Sequence, residues 1–454
     1  MIPNVLRQGA NYIPKETGDN FRLHANELPW CPVDFNSLDL NCYPDYETQN
    51  QLQKSLAEIY QVTPDQIVLT RGSDDGIDLL CRLFLNSKHD ALMQFAPTFP
   101  MYAFYTRMQQ AQLIQCPLDA ENNFCLNQDT LNNYWSPQCK IIMFCNPNNP
   151  TGTSIDLDLI AATCERYAGQ SLIVVDEAYI EFSTQKSASS LIGRYDNLVV
   201  LRTLSKAYGL AGLRLGSIIA PAKLIEACKK IIPPYSISSA VLALANNALA
   251  RKDWFATTLN SIKEERKLLA STLKQFSFIK KIVPSEGNFL LLQIDKELTQ
   301  ELAHYLAYRN IIVRDFLEDT TLCNYLRITV GDSQQNTHLI EALTQFLPGG
   351  SGSTRQVAGS SITKAAGRCA SISRQTKETA IELKLTLDSD HIGPINTPIA
   401  FFNHMLEQVA KHGGFNLQLQ AQGDLEVDDH HLIEDTAIVL GQALKQALGD
   451  KRGI

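Results

Sequence analysis

Short apolar runs rich in β-branched residues recur along the first half of the chain, at residues 67–69, 140–144, 172–175, 198–201 and 217–219. Longer stretches separate them, and residues 48–60 carry apolar side chains at helical spacing. A near-continuous apolar run suits a strand covered on both faces, whereas a half-solvated strand alternates. The pattern therefore predicts an α/β domain spanning about residues 45–250, built round a mostly parallel, buried sheet.

Beyond that point a long polar, helical stretch leads to Asn288-Phe-Leu-Leu-Leu, Ile311-Ile-Val-Arg and Tyr325-Leu-Arg-Ile-Thr-Val. These predict a smaller α+β domain over residues 251–347, which the N-terminal segment joins. Pro348-Gly-Gly-Ser-Gly-Ser353 breaks the pattern, and the stretch to Arg374 is rich in Ser, Ala and Gly with basic but no acidic residues. A linker is expected over residues 348–373. Residues 374–454 then form a separate unit, and five of the nine histidines fall after residue 348.

Composition narrows the class. The chain has 454 residues, 44% hydrophobic and 19% charged, enough for two to three packed domains. Forty basic residues against 48 acidic ones leave a net charge of −8, which argues against a nucleic-acid surface. The 11 cysteines stand singly, so neither a disulfide framework nor a cysteine zinc site is expected. The first residues lack an apolar signal core, and no run approaches the roughly 18 apolar residues of a membrane helix. A cytoplasmic protein without membrane or nucleic-acid partners is expected.

Candidate chemistry centres on Lys206 in Thr203-Leu-Ser-Lys, with Asp176 and Asn149 lying 30 and 57 residues upstream of it. A lysine amine condenses with an aldehyde, and a carboxylate keeps a pyridine nitrogen protonated. Asp176 directly follows an apolar run, so it points into the crevice at the strand ends. Tyr179 and Asn149 can bond a phenolate oxygen. In Arg71-Gly-Ser-Asp-Asp-Gly, Gly72 supplies a tight turn and Ser73 or Asp74 opens a helix whose free amides face an anion. Thr203, Ser205 and Arg214 complete a phosphate cup, and Phe99 can stack on an aromatic ring. Taken singly, each of these is more often a cap, a solvated charge or plain core. Their order and spacing point to pyridoxal phosphate.

Over residues 1–347 these motifs resemble the aspartate-aminotransferase-like class, and within it the histidinol-phosphate aminotransferases. His24-Ala-Asn-Glu-Leu-Pro, Tyr43-Pro-Asp, Asn146-Pro-Asn-Asn-Pro-Thr-Gly, Asp176-Glu-Ala-Tyr-Ile-Glu-Phe, Val313-Arg-Asp and Leu326-Arg-Ile-Thr-Val-Gly extend the match. The resemblance implies that Lys206 forms the Schiff base with the cofactor and shuttles a proton at the substrate Cα. It implies that Tyr12, Arg314 and Arg327 clamp the phosphate of histidinol phosphate, with Arg327 also taking a carboxylate of glutamate or 2-oxoglutarate. Tyr43 is expected to reach the cofactor phosphate of a neighbouring subunit in a homodimer. An aromatic aminotransferase and a phospho-amino-acid decarboxylase are the alternatives within the class.

In Asp428-Asp-His-His-Leu-Ile-Glu-Asp435, His430 and Glu434 stand four apart on one helical face while His431 is turned by about 100°. With His404 and His412 nearby in sequence, mixed histidine and carboxylate ligation suits manganese or zinc. From Arg374 onward the chain resembles the first half of imidazoleglycerol-phosphate dehydratase, a duplicated α/β fold. That resemblance implies manganese ligands at His404, His430, His431 and Glu434, and substrate contacts at Glu378 and His412. Without the second half each metal lacks partners, so a half-domain inactive by itself is expected. Completion in trans by other chains and an inert oligomerising tail are the alternatives.

Overall fold

In a computed structural model of the protein, the described residues are 21–22, 44, 46–317, 319–346, 368–376, 378–387, 393–423 and 429–448. Tyr12 and Tyr43 lie outside them. The chain divides into two compact units, Met1–Ser351 and Gly352–Ile454.

Seven strands form the large sheet of the first unit: β1 (Ile67–Thr70), β2 (Ala91–Ala96), β3 (Gln112–Pro117), β4 (Cys139–Cys145), β5 (Leu172–Asp176), β6 (Leu198–Thr203) and β7 (Gly216–Ile219). Their order is β1-β7-β6-β5-β4-β2-β3. From β6 to β3 all neighbours run parallel, while β7 is antiparallel to both β1 and β6. Every residue of β1, β5, β6 and β7 is buried, as continuous apolar runs require. Successive side chains point to opposite faces. Val175 and Val200 thus join one core, and Val174, Val199 and Leu201 the other.

Helices cover both faces. α1 (Tyr46–Tyr60) buries Leu52, Leu56, Ala57 and Tyr60, a single helical stripe. α2 (Gly72–Phe84) and α3 (Met101–Met108) follow β1 and β2. The apolar pattern does not announce β2 or β3. Gln94 interrupts β2, and β3 is an edge strand with a largely solvated surface that ends on Pro117.

A four-stranded antiparallel sheet forms the smaller part: β8 (Ile279–Val283), β9 (Phe289–Ile294), β10 (Arg314–Asp315) and β11 (Tyr325–Thr329), ordered β10-β11-β9-β8. The run expected as one strand from Ile311 to Arg314 is split. Ile311–Ile312 pairs in parallel with Phe21–Arg22, and Arg314–Asp315 pairs with β11, so the chain changes partners at Val313. On α4 (Lys252–Leu273), Arg266 Nη1 donates to the carbonyls of Phe182 at 3.3 Å and Gly287 at 2.7 Å. Those bonds tie the smaller sheet to the turn that follows β5.

In the second unit β12 (Cys369–Gln375), β13 (Thr379–Thr386), β14 (Ile395–Asn396) and β15 (Asn416–Gly423) form a sheet ordered β12-β13-β15-β14. Burial alternates along β13 and β15, so one face is solvated. The inner face packs Ile381, Leu383, Leu417 and Leu419 against Leu406 of α5 (Ala400–Gly413) and Leu432 and Val439 of α6 (His430–Leu448). Asp435 pins α6 to the sheet through Arg374 Nη2 at 2.9 Å and Thr379 Oγ1 at 2.6 Å. Among the described residues no helix is long and apolar enough to cross a membrane.

Candidate active site

The carboxyl ends of β2, β4, β5 and β6 lie side by side, and each delivers one expected group. Phe99 comes three residues after β2, Asn149 four after β4, Asp176 closes β5 with Tyr179 just beyond, and Lys206 comes three after β6. Ligands of open α/β sheets collect at such strand ends. Asn148 joins two of the loops: its Oδ1 accepts from Thr98 Oγ1 at 2.8 Å and its Nδ2 donates to Pro97 O at 2.9 Å.

Asp176 is 2% exposed. Burial raises its carboxyl to about 6, and the charge of Asp74 pushes the same way. Tyr102 Oη donates to Asp176 Oδ2 at 2.7 Å, Ala178 N donates to Oδ1 at 3.2 Å, and the Lys206 charge adds to their opposing pull. Tyr102 is itself fully buried on α3. No motif in the sequence marks it, because a tyrosine 74 residues upstream meets Asp176 only through tertiary packing.

An anion cradle stands beside this dyad. Gly72 has φ +81°, which places the start of α2 directly under Arg214, and a Cβ there would meet Arg214 Nη2 at 2.7 Å. A Cβ on Gly216 would meet Ser73 N at 2.7 Å and Gly72 C at 2.6 Å, so Gly216 is needed for the close approach of the two backbones, while Gly72 leaves room for the Arg214 side chain. Arg214 Nη1 donates to Ser205 Oγ at 3.2 Å, and Nη2 meets Asp74 Oδ2 at 3.2 Å. Thr203 Oγ1 and Ser205 Oγ lie 3.0 Å apart. Two hydroxyls, a guanidinium and the free amides of a helix start can grip a phosphate ester.

Lys206 is half-buried, its Nζ 5.8 Å from the centre of the Tyr179 ring. Tyr179 meets Phe289 edge-on at 5.1 Å, and the Arg327 guanidinium lies 5.4 Å from the Phe289 ring centre. Arg327 Nη1 donates to Asn149 Oδ1, so the smaller sheet contributes directly to the crevice. Arg314 stands opposite Arg327 in register, which puts the two side chains on one face of their sheet. Arg327 is buried and Arg314 exposed. Phe289, like Tyr102, was not marked by the sequence. Phe99 lies 5.6 Å from Tyr102, edge to face.

In the second unit His430 Nε2 is 3.2 Å from Glu434 Oε2, as helical spacing requires, and His431 is turned aside with its ring centre 6.2 Å from that of His430. His404 and His412 are exposed on α5, and Glu378 is exposed just before β13. Among the described residues no three His, Cys, Asp or Glu side chains gather closely enough to hold a metal ion. His430 and Glu434 on one side and His431 on the other point apart, as expected for ligands of two different metals, but neither direction gathers a third donor among the described residues.

A half-buried amine and a buried carboxylate at neighbouring strand ends, with a guanidinium and two hydroxyls on the same edge of the sheet, are groups that can handle amino groups on a phosphorylated carbonyl cofactor. Residues 34–343 match the family "Aminotransferase class I and II". "Histidinol-phosphate aminotransferase 1" of Legionella pneumophila subsp. pneumophila is 56% identical over 343 residues, covering 75% of this chain and 93% of that protein. The histidinol-phosphate aminotransferase of Francisella philomiragia is 39% identical, covering 71% and 88%. The chain belongs to the class I and II aminotransferases, in the histidinol-phosphate aminotransferase branch. The solved histidinol-phosphate aminotransferase of Sinorhizobium meliloti, in complex with pyridoxal-5'-phosphate, shares the fold, with a TM-score of 0.63 and 22% identity over 71% of this chain and 89% of that one. Residues 397–454 match "Imidazoleglycerol-phosphate dehydratase", so two families meet on one chain. β12 and β13 precede the matched span and share its sheet.

Proposed function

We propose that the protein transfers an amino group between histidinol phosphate and 2-oxoglutarate, yielding imidazole-acetol phosphate and glutamate, as a step of histidine biosynthesis. The observation that supports this reading is the register pair of Arg314 and Arg327, of which Arg327 bonds Asn149. Two cations on one face suit a phosphate dianion, and a planar guanidinium serves equally for a carboxylate. Tyr12 belongs to the same clamp.

Pyridoxal phosphate fits the donor set and, when bound, supplies an aldehyde for the amino group and a cationic ring that draws electrons from the substrate Cα. Ser73, Asp74, Thr203, Ser205 and Arg214 frame its phosphate, with the α2 amides as donors. Asp176 holds the ring nitrogen protonated, Asn149 and Tyr179 bond its phenolic oxygen, and Phe99 covers one face. Lys206 Nζ would take the proton from the substrate Cα and return it to the cofactor's former carbonyl carbon, on the other side of the shared nitrogen. The same reading makes the protein a cytoplasmic homodimer in which the partner subunit's Tyr43 reaches the cofactor phosphate. Light scattering on the purified chain tests that assembly, and a monomer with full activity counts against it.

The cofactor absorbance is expected to convert faster with histidinol phosphate than with phenylalanine or tyrosine, by about two orders of magnitude in the second-order rate constant. Faster conversion with the aromatic amino acids overturns the substrate assignment in favour of an aromatic aminotransferase.

A second reading concerns the tail, favoured by its family match. If manganese binds there, His404, His430, His431 and Glu434 are the ligands and Glu378 and His412 touch substrate. The two donors that meet, His430 and Glu434, fall short of the octahedral set manganese takes, and no lyase step is derived from them. The purified chain is expected to leave imidazoleglycerol phosphate unconverted in manganese buffer. Sustained turnover establishes a bifunctional enzyme whose sites are completed between chains.

A further inference from the structure

Behind the site three charges are buried together. Glu177 follows Asp176, Arg202 precedes Thr203, and Glu181 lies two residues past Tyr179. Asp176 and Thr203 fall on the sheet face of Val174 and Leu201, so strand alternation sends Glu177 and Arg202 to the opposite face, with Val175 and Val200. There Arg202 Nη2 meets Glu181 Oε1 at 2.6 Å and Nη1 meets Glu177 Oε2 at 3.5 Å. The guanidinium lies 4.3 Å from the centre of the Tyr60 ring. Glu177 Oε1 also accepts from Ala188 N at 2.6 Å, and Ser187 Oγ donates to Oε2. The three side chains are 6%, 0% and 8% exposed, in the order Arg202, Glu177, Glu181.

Stability alone is a poor reason for such a cluster, since well-packed apolar residues commonly serve as well as a buried ion pair. What distinguishes this one is its place in the chain. Each member is within two residues of a group that faces the crevice, and the two carboxylates come from the turn after β5 while the arginine comes from β6. We propose that Arg202 is a positioning residue, which draws Glu177 and Glu181 to the end of β6 and so fixes Asp176 and Tyr179 against Thr203 and Lys206.

Without the guanidinium, Glu177 and Glu181 lose their buried ion pairs in a space closed to water, and the Glu177 carboxyl, which burial already pushes up to about 7, takes a proton rather than stay charged. The turn at residues 177–182 then loses the contacts that draw it to β6. Asp176 and Tyr179 move with it. The inference rests on the reading of Asp176 and Tyr179 as cofactor contacts.

The test is the affinity of the cofactor-free full chain for pyridoxal phosphate, read by fluorescence titration beside thermal unfolding, for wild type, Arg202→Met and Arg202→Lys. Arg202→Met is expected to bind about tenfold to a hundredfold more weakly, the cost of a small misplacement, and Arg202→Lys to recover part of that loss. If Arg202→Met does not fold, the triple variant Arg202→Met, Glu177→Gln, Glu181→Gln removes the bridge without stranding a charge, and the same weakening is expected. A folded variant with wild-type affinity, whatever its melting temperature, makes the cluster merely structural and overturns the inference. Absence of uptake by the wild type overturns the cofactor reading itself, and the inference with it.

Discussion

Replacing Lys206 by alanine is expected to lower transamination by about 10⁴-fold or more while leaving the fold intact. The amine serves twice in the proposed reaction, as the group that condenses with the cofactor and as the base at the substrate Cα. No second lysine is delivered by the neighbouring strand ends. The loss is chemical rather than structural because backbone bonds close the loop that carries the residue. Leu204 N donates to Leu215 O at 2.9 Å, Leu210 N donates to Leu204 O at 3.1 Å, and Gly209 N donates to Lys206 O at 3.1 Å. The half-buried side chain leaves no apolar cavity when truncated. Single-turnover absorbance with histidinol phosphate measures the step, and a rate within tenfold of wild type removes Lys206 from the mechanism.

The large sheet was legible because covered strands need near-continuous apolar runs, and β1, β4, β5, β6 and β7 each carry one, with polar residues such as Lys140, Asp176, Arg202 and Ser217 mostly at their ends. The approach of Asn149, Asp176 and Lys206 was legible for a related reason: each follows such a run closely, so a parallel sheet carries all three to the same edge. Tyr102 and Phe289 were not, because each is an unremarkable core aromatic in sequence and acquires its neighbour from another element. The split at Val313 was hidden by uninterrupted apolarity, which records burial but not which strand is the partner. In the tail, the His430 and Glu434 pair followed from helical spacing alone. Whether His404 joins them depends on how α5 and α6 meet, which spacing within either helix does not encode.

The buried ion cluster shows the same boundary from the other side. Glu177, Glu181 and Arg202 are unlikely residues for a core, yet their immediate neighbours are the groups that face the crevice. Alternation along β5 and β6 explains why charges can stand beside catalytic positions without entering the site. The sheet separates Glu177 and Arg202 from Asp176 and Thr203, and one pair of strand ends serves both.

Asparagine at position 176 is expected to cut turnover by about 10²–10³-fold, because a neutral amide no longer holds the ring nitrogen protonated in a site closed to water. The pH dependence tests the cause. In the cofactor-free protein burial lifts the Asp176 carboxyl to about 6. Folding therefore favours its protonated form, and ionisation costs stability: the cost is absent below the ordinary aspartate value, grows as pH rises toward 6 and is constant above it. The bound cofactor reverses the preference, since the ionised carboxylate is the form that pairs with a protonated ring. Cofactor affinity is thus expected to fall as pH drops through about 6, and Asp176→Asn to lose that dependence. Tyr102→Phe removes the 2.7 Å hydrogen bond that favours the carboxylate. A hydrogen bond to a charged group is worth about 1.5–3 kcal/mol, so the midpoint is expected to rise by about one to two pH units. Titrations of the three proteins from pH 4.5 to about 8.5 measure this. An Asp176→Asn protein that keeps the wild-type midpoint assigns the transition to another group and detaches Asp176 from the ring nitrogen.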